Sequence, residues 1–275
     1  DGNDTFVVNT SDLLSSSSIV GGDGNDSVSF GAVLSGNSIV GGAGNDTLRF
    51  AAGVRDSALV SSDSGSDVLL FSSTLNTASV YGGSGGDSLV FSGALTNSTI
   101  DFGADSDTMT LSVAATSTSI LGGTGNDTLV FTGSANLISS SVLAGADADS
   151  LVFSATLKSA SRVEGGDGND TMVFNSSIGG AAVVDLASGD DSIDFNTITL
   201  ANVQVNGGAG SDVFGSAGDL VIGTGGVSFF SGSASDTFEF SSITNGGGTA
   251  YFWNEQGSDS IVIGGAVSTG STGAP

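Results

Sequence analysis

The chain has 275 residues, with 29 acidic against 4 basic side chains and a formal net charge of -25. It contains no cysteine and no histidine, which excludes a disulfide scaffold, a zinc site of the usual kind and His-based proton transfer. So acidic a chain repels nucleic-acid phosphates and anionic membrane surfaces. No apolar run approaches the roughly 18 residues of a spanning helix, so neither nucleic acid nor membrane insertion is expected.

High net charge and abundant glycine (45 residues) resemble a disordered composition. However, only 12% of residues are charged and 38% are hydrophobic, with mean hydropathy +0.27. A core is therefore available if the apolar residues fall in register.

They do, on a repeat that runs from the first turn to the last. Gly-Gly-Asp-Gly-Asn-Asp at 21–26 recurs as Gly-Gly-Ala-Gly-Asn-Asp at 41–46, Gly-Gly-Thr-Gly-Asn-Asp at 122–127 and Gly-Gly-Asp-Gly-Asn-Asp at 165–170. Taking the last Asp as anchor, the series is Asp4, Asp26, Asp46, Asp67, Asp87, Asp107, Asp127, Asp149, Asp170, Asp191, Asp212, Asp236 and Asp259, spaced 20–24 residues apart. The residue two after each anchor is always apolar, as in Val28, Leu48 and Leu69. Four after it stand Phe30, Phe50, Phe71, Phe91, Leu111 and Phe131 in succession, and only Ser216 breaks this row. Seven before it, Ile39, Val60, Val80 and Ile100 continue an unbroken apolar row.

Two apolar positions two apart, often preceded by Thr or Ser, predict a strand with one buried face. Each unit reads as a Gly-rich turn, a first strand, a polar bend and a second strand. Such a unit cannot bury itself alone, so the copies are expected to stack. The predicted fold is all-β: one right-handed parallel β-solenoid domain over 1–275 with about thirteen coils. Residues 1–212 form the regular repeats and 213–275 the longer, aromatic-rich terminal coils. At about 4.8 Å per coil the rod would measure about 60 Å. The Phe row is read as core rather than as a sugar-stacking platform. Eight of the nineteen aromatics fall between 214 and 253, and Phe230 and Trp253 occupy a position that should point outward.

Stacking also brings the anchor carboxylates into a file, where they repel unless counter-ions intervene. Hard divalent cations with oxygen ligands meet that need, and glycines allow positive φ so that carbonyl oxygens turn inward. Twelve divalent ions between thirteen turns would bring about +24 against -25.

The turns resemble the GGxGxD calcium turn of RTX proteins, the hemolysin-type calcium-binding repeats, over essentially the whole chain. The resemblance implies an RTX-like β-roll or β-helix with Ca²⁺ between successive coils, held by the thirteen anchor Asp residues and turn carbonyls. The coil here is longer than the eighteen residues of nonapeptide RTX repeats and has one such turn, so a single calcium file is expected. The turns at 102–107, 144–149, 186–191 and 254–259 depart from the motif, and Asp105, Asp147 and Asp190 are candidate compensating ligands.

The resemblance further implies a secreted bacterial protein at the cell surface or outside the cell. The expected role is structural: self-assembly, head to tail or laterally, as a surface layer, sheath or filament, with a cell-surface polysaccharide as a further partner. The alternative is a calcium-dependent extender or ligand-binding segment of a large secreted adhesin or ice-binding protein. Ice binding wants a regular Thr array, and the variable turn residues Asp23, Ala43, Ser64, Ser84, Ala104 and Thr124 form none. No catalytic constellation is found: Asp101, Asp185 and Asp194 lie off the file, and the basic residues are Lys158, Arg49, Arg55 and Arg162. No enzymatic role is expected. Joining the last residue to a following copy would set anchors 20 apart, with Thr272 in the apolar row.

Overall fold

The structure, a computed structural model, describes residues 2–9, 13–133, 135–253 and 256–265. Thr272, and the Asn254 and Glu255 that open the last turn, lie outside the described residues. The protein is an all-β parallel β-solenoid, without helix among the described residues. It packs as two compact units, one of Asp1–Ala135 with Ser140–Ala146, the other of Asn136–Ser139 with Asp147–Pro275.

In the first unit each coil has three strands where the repeat pattern predicts two. One coil holds Ser27–Phe30, Leu34–Ser35 and Ser38–Ala43, and the next repeats them as Thr47–Phe50, Val54–Arg55 and Leu59–Ser64. Pairing is parallel and in register: Val28 faces Leu48, Phe30 faces Phe50, Leu34 faces Val54 and Ile39 faces Val60. The added strand supplies a fourth buried row, Leu34, Val54, Leu75, Leu95 and Ala115. A two-residue strand with a single inward side chain has no alternation to read, which is why it is invisible as a pattern. Just after it the chain turns through positive φ at non-glycine residues, among them Thr77 (53°), Asn97 (49°) and Ser117 (51°). The next side chain helps hold the bend, as Ser98 Oγ donates to the Thr96 carbonyl at 2.9 Å.

In the second unit the same coil appears as Ser150–Phe153, Leu157–Lys158 and Arg162–Asp167. Further on, the short strand fuses with a neighbour, first in the eleven-residue Ile178–Ser188 and Thr199–Ala209, then in Val213–Ile222. Bulges between Gly179 and Ala182, and between Ser216 and Asp219, take up the extra residues. Ser216, the one polar member of its row, is buried and donates its hydroxyl to the Gly218 carbonyl at 2.5 Å.

In-register stacking places like rings one rung apart. In the first unit, ring centroids lie 5.5 Å apart for Phe30–Phe50, 4.6 Å for Phe50–Phe71 and 4.9 Å for Phe71–Phe91, all within 10° of coplanar. In the second unit, Phe153–Phe174 stack at 4.8 Å. The crowded aromatics of the later coils divide: Phe214, Phe229, Phe238 and Phe240 are buried, whereas Phe230 is half-buried and Trp253 exposed. The aliphatic side chains three after the anchor (Leu70, Val90, Val130, Val152, Val173) are half-buried on the outer face.

Phe71 stacks on both sides within the column. Phe71→Ala opens a cavity there and is expected to cost about 3–5 kcal/mol, read as a lowered denaturation midpoint in calcium-containing buffer.

Candidate metal centre

Two residues of each Gly-rich turn from that of Asp26 to that of Asp236 take positive φ, the fourth and the second before the anchor. Where they are glycine the angle is wide, 121° at Gly42 and 122° at Gly44. Where they are not, it contracts toward the left-handed helical well, with 73° at Asp63, 76° at Ala187, 79° at Asp105 and 83° at Ala234. A Cβ tolerates that well but not the wider angles. The degenerate turns thus keep the path of the chain at some cost in strain.

This path turns the anchor side chains inward. In the first unit Asp26, Asp46, Asp67, Asp87, Asp107 and Asp127 are at most 3% exposed, and in the second unit so are Asp149, Asp170, Asp191, Asp212 and Asp236. Asp4 is exposed and Asp259 half-buried. Each Oδ1 accepts the backbone N–H of the preceding anchor. In the first unit the chain of bonds runs Asp4→Asp26 (2.7 Å), Asp26→Asp46 (2.7 Å), Asp46→Asp67 (2.6 Å), Asp67→Asp87 (2.8 Å), Asp87→Asp107 (2.6 Å) and Asp107→Asp127 (2.8 Å). In the second it runs Asp149→Asp170 (2.8 Å), Asp170→Asp191 (2.7 Å), Asp191→Asp212 (3.0 Å), Asp212→Asp236 (2.9 Å) and Asp236→Asp259 (3.1 Å). An invariant Asp is therefore required twice, once to tie each coil to the one before and once for its second oxygen.

That second oxygen carries the chemistry. Oδ2 of Asp26, Asp46, Asp87 and Asp107, and of Asp170, Asp191 and Asp212, is buried without a hydrogen-bond partner, whereas at Asp67 and Asp236 the hydroxyl of Ser62 or Ser231 lies beside the carboxyl group. In the coils of Asp26, Asp46, Asp87, Asp170 and Asp212, Oδ2 lies over the glycine five residues earlier, where a backbone carbonyl of the next coil also arrives. A methyl group on Gly82 would fall 2.6 Å from Asp87 Oδ2 and closer still to the Phe102 carbonyl oxygen. One on Gly21 would strike Asp26 Oδ2 and the Gly41 carbonyl oxygen. In the second unit, one on Gly207 would fall 2.6 Å from Asp212 Oδ2 and closer to the Ser231 carbonyl oxygen. Two acceptor oxygens thus converge on a space from which any side chain is excluded. No hydrogen-bond donor among the described residues reaches Oδ2 of Asp87 or Asp212. Among the described residues no group of three or more His, Cys, Asp or Glu side chains gathers. The donor set is one carboxylate per coil plus main-chain carbonyls, which suits a hard cation that accepts neutral oxygen ligands.

The electrostatics agree. Burial, offset in part by the accepted N–H and reinforced by the neighbouring anchors, pushes Asp67 up to about 6, Asp87 to about 7 and Asp107 to about 8. Asp170, Asp191 and Asp212 are each pushed up to about 7 for the same reasons. A column of ionised carboxylates in this setting needs positive charge beside it.

The cradle varies from coil to coil. Where glycine is absent five before the anchor, Ser62, Phe102, Ala144, Leu186 or Ser231 brings a Cβ into that position among the described residues, and all five are buried. The Ser62 hydroxyl donates to the Gly82 carbonyl at 2.6 Å. The extra acidic residues Asp105, Asp147 and Asp190 are exposed on the turn instead of joining the buried column. Asp105 Oδ2 accepts the Gly85 N–H at 3.0 Å and Asp190 Oδ1 the Ser211 N–H at 2.8 Å. The residue before the anchor forms a second ladder on the outer side of the turn, which the repeat pattern alone does not explain. Asn3 and Asn25 accept the N–H of Asn25 and Asn45, each at 2.8 Å, and Asn169 accepts that of Asp190 at 2.9 Å. The recurring Asn of Gly-Asn-Asp is its signal.

Gly82→Ala places a methyl group in one cradle. It is expected to remove one bound ion from the stoichiometry measured by metal analysis after gel filtration, with about 1–3 kcal/mol lost from calcium-dependent stability.

No family model matches the chain, and no curated protein matches it. Among solved structures, a hyperactive, Ca²⁺-dependent, beta-helical antifreeze protein from an Antarctic bacterium superposes with a TM-score of 0.73 at 20% identity, covering 95% of this chain and 83% of that one. The likeness establishes the β-helical fold.

Proposed function

We propose that the chain is a calcium-stabilised extracellular structural protein of the RTX kind, assembling through its coils into a surface layer, sheath or filament. The observation that carries this reading is the column of buried, inward-facing Oδ2 atoms, which in the glycine-cradled coils meet a main-chain carbonyl where no side chain fits. Asp26, Asp46, Asp87, Asp127, Asp170 and Asp212 stand over glycine cradles and would hold the ions most openly. Fewer than twelve ions are expected, because Ser62, Phe102, Leu186 and Ser231 crowd their cradles. Bound calcium would neutralise the column and lock successive coils, and millimolar calcium outside the cell suits weak extracellular sites. The same reading gives the chain no catalytic role. Asp185 is bound to Arg162 at 2.7 Å, and Asp194 accepts the Ala217 N–H at 3.2 Å.

Ice binding is the second reading, favoured by the β-helical match to a Ca²⁺-dependent antifreeze protein. Electron microscopy with and without calcium, together with a thermal hysteresis assay, separates the two. Calcium-dependent fibres or lattices without hysteresis are the expected result; isolated rods with a hysteresis gap would replace the first reading with the second.

A further inference from the structure

The outer face of the long strands in the second unit changes character rung by rung. In register, one row runs Glu164, Asp185, Asn206, Phe230, Trp253. The row beside it runs Arg162, Val183, Gln204, Ser228, Tyr251. Arg162 is consumed by its neighbours, with Nε on Glu164 at 2.8 Å and a terminal nitrogen on Asp185 at 2.7 Å. Gln204 Nε2 donates to Asn206 Oδ1 at 2.8 Å. Phe230 and Trp253 stack with centroids 6.1 Å apart and planes 9° from parallel. Trp253 and Tyr251 are each 52% exposed. Beside them lies a groove of about 410 Å³ lined by Gln204, Asn206, Phe230, Ser233 and Gln256.

We propose that this face is a binding platform for an uncharged polysaccharide lying along the stacked rungs. The stacked pair leaves the exposed Trp253 ring as an apolar contact for the C–H groups of a sugar ring, and the amides of Gln204, Asn206 and Gln256 offer donors and acceptors to hydroxyl groups. Rungs about 4.8 Å apart come close to the length of one pyranose in an extended chain, so successive sugars would meet successive rungs. The net charge of -25 and the carboxylates of Glu164 and Asp185 on the same row select against acidic glycans. The surface lies outside the buried carboxylate column and does not rest on the role proposed for it.

Trp253 is the chain's single tryptophan, so its emission reports on this face alone. The full chain, in calcium, is titrated with cellohexaose, laminarihexaose and chitohexaose while Trp253 fluorescence is followed. A saturable change with at least one of them is expected. Phe230→Ala should weaken it at least about tenfold and the exposed Gln204→Ala several-fold, with circular dichroism unchanged in both. No saturable change with any of the three would overturn the proposal. So would unaltered affinity in both variants, a stronger response to oligogalacturonate, or an emission shift on protein dilution without sugar, which would assign the face to a second copy of the chain.

Discussion

Removing divalent cations at pH 8 is expected to abolish most of the β signal in far-ultraviolet circular dichroism, and restoring calcium to recover it. Each ion present at a hundredfold excess over its dissociation constant contributes about 2.7 kcal/mol, and a domain's whole stability is only about 5–15 kcal/mol. A few sites therefore decide whether the coils hold together. The same column predicts an unusual pH dependence in chelator. Asp67, Asp87, Asp107, Asp170, Asp191 and Asp212 are raised from 3.8 to about 6–8, chiefly by burial. A carboxyl group with a raised folded value favours folding while protonated. Its contribution is complete below about pH 4 and is lost as pH climbs through 6–8, each tenfold change in the acidity constant being worth about 1.4 kcal/mol. The chelated protein should accordingly keep its fold at pH 4.5 and lose it by pH 8, the reverse of ordinary acid denaturation. With calcium present the curve should flatten, and calcium binding at pH 7 should release protons measurable in weakly buffered solution. A spectrum indifferent to chelation at pH 8 would remove the metal from the account.

Asp87→Asn should change sign with calcium. The substitution keeps an oxygen to accept the Asp67 N–H, now 2.8 Å from Oδ1, and leaves the Asp87 N–H on Asp107 at 2.6 Å. It exchanges the partnerless Oδ2 for an amide that can donate to the nearby Phe102 carbonyl. In chelator at pH 8 the variant should be more stable than the parent by about 1–3 kcal/mol, since a buried charge is gone and an acceptor is satisfied. In saturating calcium it should be less stable by a similar amount, with at least one fewer ion bound. Equal destabilisation under both conditions would mean that Asp87 serves only to tie adjacent coils.

The contrast between Asp87 and Gly82 shows how far a linear reading reaches. The repeat places Asp87 in a file with Asp67 and Asp107, and Val80, Leu89 and Phe91 in apolar rows, because stacked copies meet like with like and the pattern survives in one dimension. The row Leu34, Val54, Leu75, Leu95 escapes such a reading, since each short strand contributes one inward residue and so shows no alternation. Asp105 and Asp190 look like added ligands because they stand in degenerate turns, yet the backbone there turns their side chains outward. Gly82 looks like a conformational glycine beside Gly83. Only Gly83 needs positive φ (115°); Gly82 is glycine because a carboxylate and a carbonyl of the following coil occupy its side-chain space.

Composition and periodicity alone determined that this chain winds into coils of about twenty residues with one aspartate column and apolar rows, since those are properties of what recurs along the chain. The tertiary structure decided that the column faces inward, that each Oδ1 is taken by a backbone N–H some twenty residues away, and that in the glycine-cradled coils Oδ2 meets a carbonyl from the next coil. Those features are contacts between coils, and they exist only once register and the path of each turn have set which oxygen lies over which glycine.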